Sequence, residues 1–307
     1  MVYSATDVKN LREQTGAGMM DCKKALDEVS GDFQKAVDWL RTKGLAAAAK
    51  KQSRVAAEGM VAAVVRGKLA AVVEINCETD FASKSADFQN FATATANAAV
   101  DANVTTTDAL LGVKLPNGMT VKDNISELTI KIGEKIDVRR MEIVKLEGNG
   151  VLGSYVHSGK IAVVVRIESD KDVSGNADVT ELAKDLCMQI TAANPTFING
   201  SDIDEAFKAR EAEVYAAQLR EQGKSEQMIP NIVKGKLNKL ATDVCLVEQA
   251  FVKNPDTSVG KLIAEVGTKA GAQLKVTKFT KLNLGEGIEK VADNFADEVA
   301  KMTGAKN

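Results

Sequence analysis

The chain has one histidine, His157, and four cysteines, Cys22, Cys77, Cys187 and Cys245, set far apart. A Ser-His-Asp triad has to run through that histidine, and a multi-histidine metal site is impossible. With no C-x-x-C pair, the thiols read as buried and reduced, not as a disulfide framework or a zinc site. The stretch "GVLGSYVHSGKI" at 150–161 invites a phosphate-loop reading. That motif needs four residues between its glycines and a Ser or Thr after its lysine. Here five residues separate Gly153 from Gly159, and Ile161 follows Lys160. The motif is absent. Carboxylate and lysine chemistry stay open, but no spacing singles them out.

The stretch that remains is "INCETDFASKSADF" at 75–88. Thr79 is a helix-capping residue, because its hydroxyl accepts a bond from a free backbone amide, and Asp80 suits the positive end of a helix dipole. Phe81 is an unusual choice for a first helical turn. It can join Phe88 and Phe91 on one face of a helix spanning 80–100, or it can point outward to another molecule. The pattern leaves both open. In "GAGMMDCKK" at 16–24, Met19 and Met20 are hard to bury together in a small helical module, which points to an interface. His157, beside a turn and without a partner pattern, reads as a surface or hydrogen-bonded structural residue.

These residues need elements to hold them. Residues 1–44 read as three short helices: one marked by Val8 and Leu11, one from Met19 to Val29, and one begun by "SGD" at 30–32 and stopped by Gly44. An alanine- and charge-rich connector follows. Then "GKLAAVVEI" at 67–75 returns as "GKIAVVVRI" at 159–167. Each copy follows another strand-like stretch, so both Gly-Lys pairs read as hairpin turns, and each copy precedes a helical segment, at 80–100 and 178–193. Two copies are too few for a solenoid and read as duplicated subdomains.

Ile203, Phe207, Val214 and Ala217 mark one helical stripe, and Ile232, Leu237, Leu240 and Val244 another. They form an antiparallel helical hairpin that either projects or folds into a core. A strand near 274–282 precedes a helix carrying Ile288, Val291, Ala292, Phe295 and Val299, which docks on the core or on a partner. The fold class is α+β. The 307 residues contain 40 basic and 42 acidic side chains, a net charge of -2, where a nucleic-acid binder shows a basic excess. No apolar run is long enough to span a membrane, and no secretion signal opens the chain, so the cytoplasm is the expected location.

Five blocks carry a resemblance: "VKNLREQTGAGMMDCKKALDE" at 8–28, "VEINCETDFASK" at 73–84, "KIGEKIDVRR" at 131–140, "VLGSYVHSGKIAVVV" at 151–165 and "GEGIEKVADNF" at 285–295. In order, they resemble successive motifs of the bacterial elongation factor Ts family. The departures are small: 168–178 looks like a longer loop than many members carry, and the turn "HSGK" at 157–160 differs from the usual pair. The resemblance implies a guanine nucleotide exchange factor for elongation factor Tu, with no cofactor, no direct nucleic-acid contact and no catalysis of its own. It implies a ubiquitin-associated-like three-helix module with its connector at 1–54, and core subdomains at 55–142 and at 143–197 with 247–281. It also implies a dimerisation hairpin at 198–246, through which the chain self-associates, and a C-terminal module at 282–307. Asp80, Phe81, Ala82 and Ser83 are expected to disturb the magnesium site of the GTPase. Met19, Met20, Lys23, Ile132, Gly133 and His157 are expected to make further contacts. The rival reading is an adaptor that binds a partner without speeding nucleotide loss.

Overall fold

The computed structural model describes residues 3–15, 17–51 and 53–289. The chain begins with helices α1 (Ala5–Thr15), α2 (Met19–Glu28) and α3 (Phe33–Lys51). Leu11, Cys22, Ala25, Leu26, Ala36 and Leu40 close a small core between them. Gly44 does not stop the third helix, contrary to expectation. It lies inside α3, where a side chain would run into Ile130, so the glycine marks a close approach between helices rather than an end.

Strands β1 (Glu58–Arg66) and β2 (Leu69–Cys77) form the first hairpin. Helices α4 (Asp80–Ser83), α5 (Ala86–Ala102), α6 (Thr107–Leu111) and α7 (Val121–Ile132) follow. Strand β3 (Ile136–Lys145), which periodicity did not mark, then pairs antiparallel with β2. The second copy repeats the plan. Strands β4 (Asn149–His157) and β5 (Ile161–Ser169) make a hairpin, helix α8 (Ala177–Ala193) follows, and a third strand arrives from far along the chain. Before it come α9 (Glu205–Glu221), α10 (Ile229–Val244), the short pair β6 (Ala250–Phe251) and β7 (Asn254–Ser258), and α11 (Val259–Ala270). That strand, β8 (Leu274–Asn283), pairs with β5.

The repeat runs deeper than the matching letters. Both sheets are three-stranded and antiparallel, and β2 and β5 break register at equivalent points, Glu74/Ile75 and Arg166/Ile167. Gly59 and Gly150 sit one residue into β1 and β4 with φ of 135° and 141°. At each, a Cβ would strike a backbone carbonyl, that of Ile75 or of Ile167. The two copies differ by Ser158, the extra residue of the second hairpin turn, where His157 pairs with Ile161 and Arg66 pairs with Leu69.

The central strands lack polar alternation because both faces are buried. Val73 and Ile75 face the helices of the first unit, and Val165 and Ile167 those of the second. Ala70 and Val72 meet Ala162 and Val164 in a third cluster between the sheets. The layers run helix, sheet, sheet, helix. One copy alone would leave an apolar sheet face bare, and the other copy covers it. Each buried valine or isoleucine contributes about 1.5–3 kcal/mol.

The α9–α10 hairpin is tied at its base. The Thr196 and Phe197 amides donate to the Val244 carbonyl at 2.8 and 2.9 Å, and Phe197 meets Phe207 edge-on at 4.9 Å. The inward stripe of α9 is Phe207, Tyr215 and Leu219, while Val214 and Ala217 are exposed. Leu219 replaces Ala217 as the deep contact because it lies about one turn beyond Tyr215, whereas Ala217, two residues from each, points to the opposite side of the helix. The helix expected over 285–302 lies, from residue 290 onward, outside the described residues. No described helix is long and apolar enough to cross a membrane.

Candidate functional site

At the exit of β2 the chain turns sharply into α4. Thr79 is the N-cap: its backbone is extended, and its hydroxyl accepts from the Ala82 amide at 3.2 Å. Four residues later the helix has ended. The Ser85 hydroxyl donates to the Ala82 carbonyl at 2.8 Å and accepts from the Phe88 amide at 3.4 Å. One side chain therefore closes α4 and opens α5. The continuous helix expected over 80–100 is in fact two helices, and the break decides where the aromatic rings go. Phe88 and Phe91 enter the first unit's core. Phe81 does not join them; it is 81% exposed.

The four residues of α4 divide by role. Ala82 and Ser83 are buried, Ala82 within the core, while the Ser83 hydroxyl donates to the Asp80 carbonyl at 2.9 Å. Their side chains form a pedestal and do not face solvent. Asp80 and Phe81 stand above it. The Asp80 carboxylate pairs with the Lys84 ammonium at 2.6 Å, and that bond holds its carboxyl below the usual carboxylate range. The same ammonium lies 5.9 Å from the Phe81 ring centroid.

Two further segments meet α4. The corner between α7 and β3 ends its helix at Gly133, whose φ of 83° is the left-handed conformation glycine tolerates best. Gly133 is exposed and its carbonyl accepts from the Lys51 ammonium, whereas Ile132 packs partly into the first core. The next residue, Glu134, takes the Thr79 amide at 2.9 Å and the Thr79 hydroxyl at 2.6 Å. On the other side comes the β4–β5 turn. Its Gly159 carbonyl accepts from the Val61 amide at 2.9 Å, and Lys160 pairs with Glu58 at 3.0 Å. Its exposed His157 is hydrogen-bonded through Nδ1 to the Tyr155 hydroxyl at 3.0 Å. Asp80 feels the charges of both Glu58 and Lys160, so the turn and α4 share one edge.

Met19 and Met20, 56% and 74% exposed, and the exposed Lys23 belong to α2 in the helical module, which packs on α1 and α3. They form a second exposed group on a different element. Sequence reasoning missed Glu134 and Glu78. Glu134 contacts a residue 55 positions away, so no local pattern announces it. Among the described residues no cluster of His, Cys, Asp and Glu is arranged to hold a metal. The four cysteines are free and buried, and burial pushes the Cys77 and Cys187 thiols up to about 12.

The ring stands exposed on a pedestal, with a carboxylate beside it, in an α+β protein built on two three-stranded antiparallel sheets. The family model described as Elongation factor TS matches residues 78–286. An elongation factor Ts of Clostridium perfringens is 46% identical over 306 residues, covering 99% of this chain and 100% of that protein. One of Rickettsia bellii is 45% identical, with 97% of each chain covered. One of Clostridioides difficile is 44% identical, covering 97% of this chain and 98% of its own. The chain belongs to the elongation factor Ts family. Membership makes its role guanine nucleotide exchange in translation elongation.

Proposed function

We propose that this chain releases GDP from elongation factor Tu by inserting the Asp80–Phe81 prow beside the GTPase's magnesium site. The observation that carries the reading is the 81% exposure of Phe81 in a protein whose neighbouring Phe88 is fully buried. Leaving a large ring in water forgoes about 1.5–3 kcal/mol of burial, which a partner's pocket recovers on binding.

An exchange factor forms no covalent bond. It binds the nucleotide-free GTPase more tightly than the GDP form, and linkage requires GDP to weaken factor binding by the same ratio. Each tenfold loosening needs about 1.4 kcal/mol of differential interaction. The ring alone accounts for one or two decades; Asp80 adds a charge that competes for polar groups around the ion. Gly133 and His157 flank the prow as contacts. Ile132, Ala82 and Ser83 act chiefly from beneath, by holding the backbone. Met19, Met20 and Lys23 make a separate grip from the helical module, and this division of labour follows the expected boundaries at 1–54, 55–142, 143–197 with 247–281, 198–246 and 282–307. Self-association runs through the 198–246 hairpin, and the cytoplasm, where translation occurs, is the site of action.

The test is release of labelled GDP from purified elongation factor Tu at several factor concentrations. A rate that climbs and saturates with factor supports exchange. Binding without acceleration makes the chain an adaptor.

A further inference from the structure

Glu78 and Glu134 form a crossed clamp. Glu78, next after β2, accepts the Lys135 amide, one residue before β3, at 2.6 Å. Glu134, just before β3, accepts the Thr79 amide and hydroxyl at the exit of β2. Each carboxylate thus fixes the backbone that carries the other. Arg54 reinforces Glu78 with a guanidinium 3.1 Å from its Oε2, and the Lys135 ammonium donates to the Arg54 carbonyl at 3.1 Å.

The Thr79 hydroxyl has one proton. Because that proton goes to Glu134, the oxygen's lone pairs are left to face the Ala82 amide. Glu134 therefore makes Thr79 a pure acceptor toward α4. A helix of four residues cannot sustain itself, since nucleation costs more than one turn returns. The ring of Phe81 has little else to fix it: it is 81% exposed, so its direction is that of the α4 backbone.

We propose that Glu134 is a positioning residue for nucleotide release, holding α4, through Thr79, in the orientation that presents Phe81. The proposal rests on the exchange reading above and adds to it a residue that need not touch the GTPase. Glu134 acts through Phe81, so its loss and that of Phe81 are not independent.

The experiment measures GDP release from elongation factor Tu at saturating factor for the full chain, Glu134→Ala, Phe81→Ala and the double variant, with a melting curve for each. Glu134→Ala is expected to lower the saturating rate roughly tenfold, the size of one helix cap. Its half-saturating concentration should move less than about threefold, because contacts elsewhere set affinity. The double variant should be no slower than Phe81→Ala alone. Thr79→Ala should reproduce the loss, and Thr79→Ser, which keeps the hydroxyl, should restore it. If Glu134→Ala melts early, the Thr79 pair carries the same comparison. A saturating rate unchanged by Glu134→Ala, or losses that multiply in the double variant, overturns the positioning role while leaving exchange standing. An unaltered chain that never accelerates release overturns exchange itself, and the positioning role with it.

Discussion

Phe81 and Phe88 lie seven residues apart and share no core: the first is 81% exposed, and the second is fully buried beneath the first sheet. The Ser85 hydroxyl stands between them, ending one helix and beginning the next. That break between helices separates a ring packed in the core from a ring left in solvent.

The separation has a direct consequence. Phe81→Ala should change stability by less than about 0.5 kcal/mol, as an exposed surface substitution does. It should slow stimulated GDP release by one or two decades. Phe88→Ala should cost about 3–5 kcal/mol of stability. Urea unfolding of both variants, beside the release assay, checks the pair.

Gly59 and Gly150 should tolerate no side chain. Each has a strongly positive φ, 135° and 141°, and each faces a carbonyl across its hairpin. Alanine at either position combines backbone strain of about 1–3 kcal/mol with a clash that backbone movement must relieve. Losses of similar size at the two equivalent sites, measured by chemical denaturation, are the expected result.

Glu74 sets an acid limit. Burial by itself raises its carboxyl, but the Gly285 amide and the Arg140 and Arg139 guanidinium groups overcome that and hold it below its ordinary value. A folded-state value below the unfolded one, about 4.3, means the group's stabilisation is complete above that pH. It is lost as pH falls through the depressed folded value. Glu74→Gln should cost about 2 kcal/mol at pH 7, less than a fully enclosed pair because both arginines are partly exposed. The difference between the two proteins should shrink below about pH 4. Unfolding free energies followed from pH 7 to 3 read this out.

The cysteines should be silent in the native protein. All four are buried, and the Cys77 and Cys187 thiols are pushed up to about 12, so little thiolate exists at neutral pH. A thiol reagent at pH 8 should label the native chain slowly and all four positions rapidly in denaturant.

Much of this fold is legible in the residues. The letters of 67–75 and 159–167 mark the duplicated hairpins, and their unbroken apolar runs mark strands buried on both faces. Thr79 before Asp80 marks a helix start, and the exposed Met19–Met20 pair is signalled by a module too small to bury it. Local pattern is enough for these, because capping and turns depend on neighbours in sequence and an unbroken apolar run carries its own signal of burial. The strand near 274–282 was legible as β8, but β3, the pairing of β8 with β5, Gly44's close approach to Ile130, the inward stripe of α9 and the Glu134 clamp were not. They join segments tens of residues apart, and nothing nearby encodes such a meeting. For the ring of Phe81, the helical spacing to Phe88 allowed inside and outside alike. Only the folded chain, broken at Ser85 and braced by Glu134 from beside the neighbouring strand, decides that it stands in water.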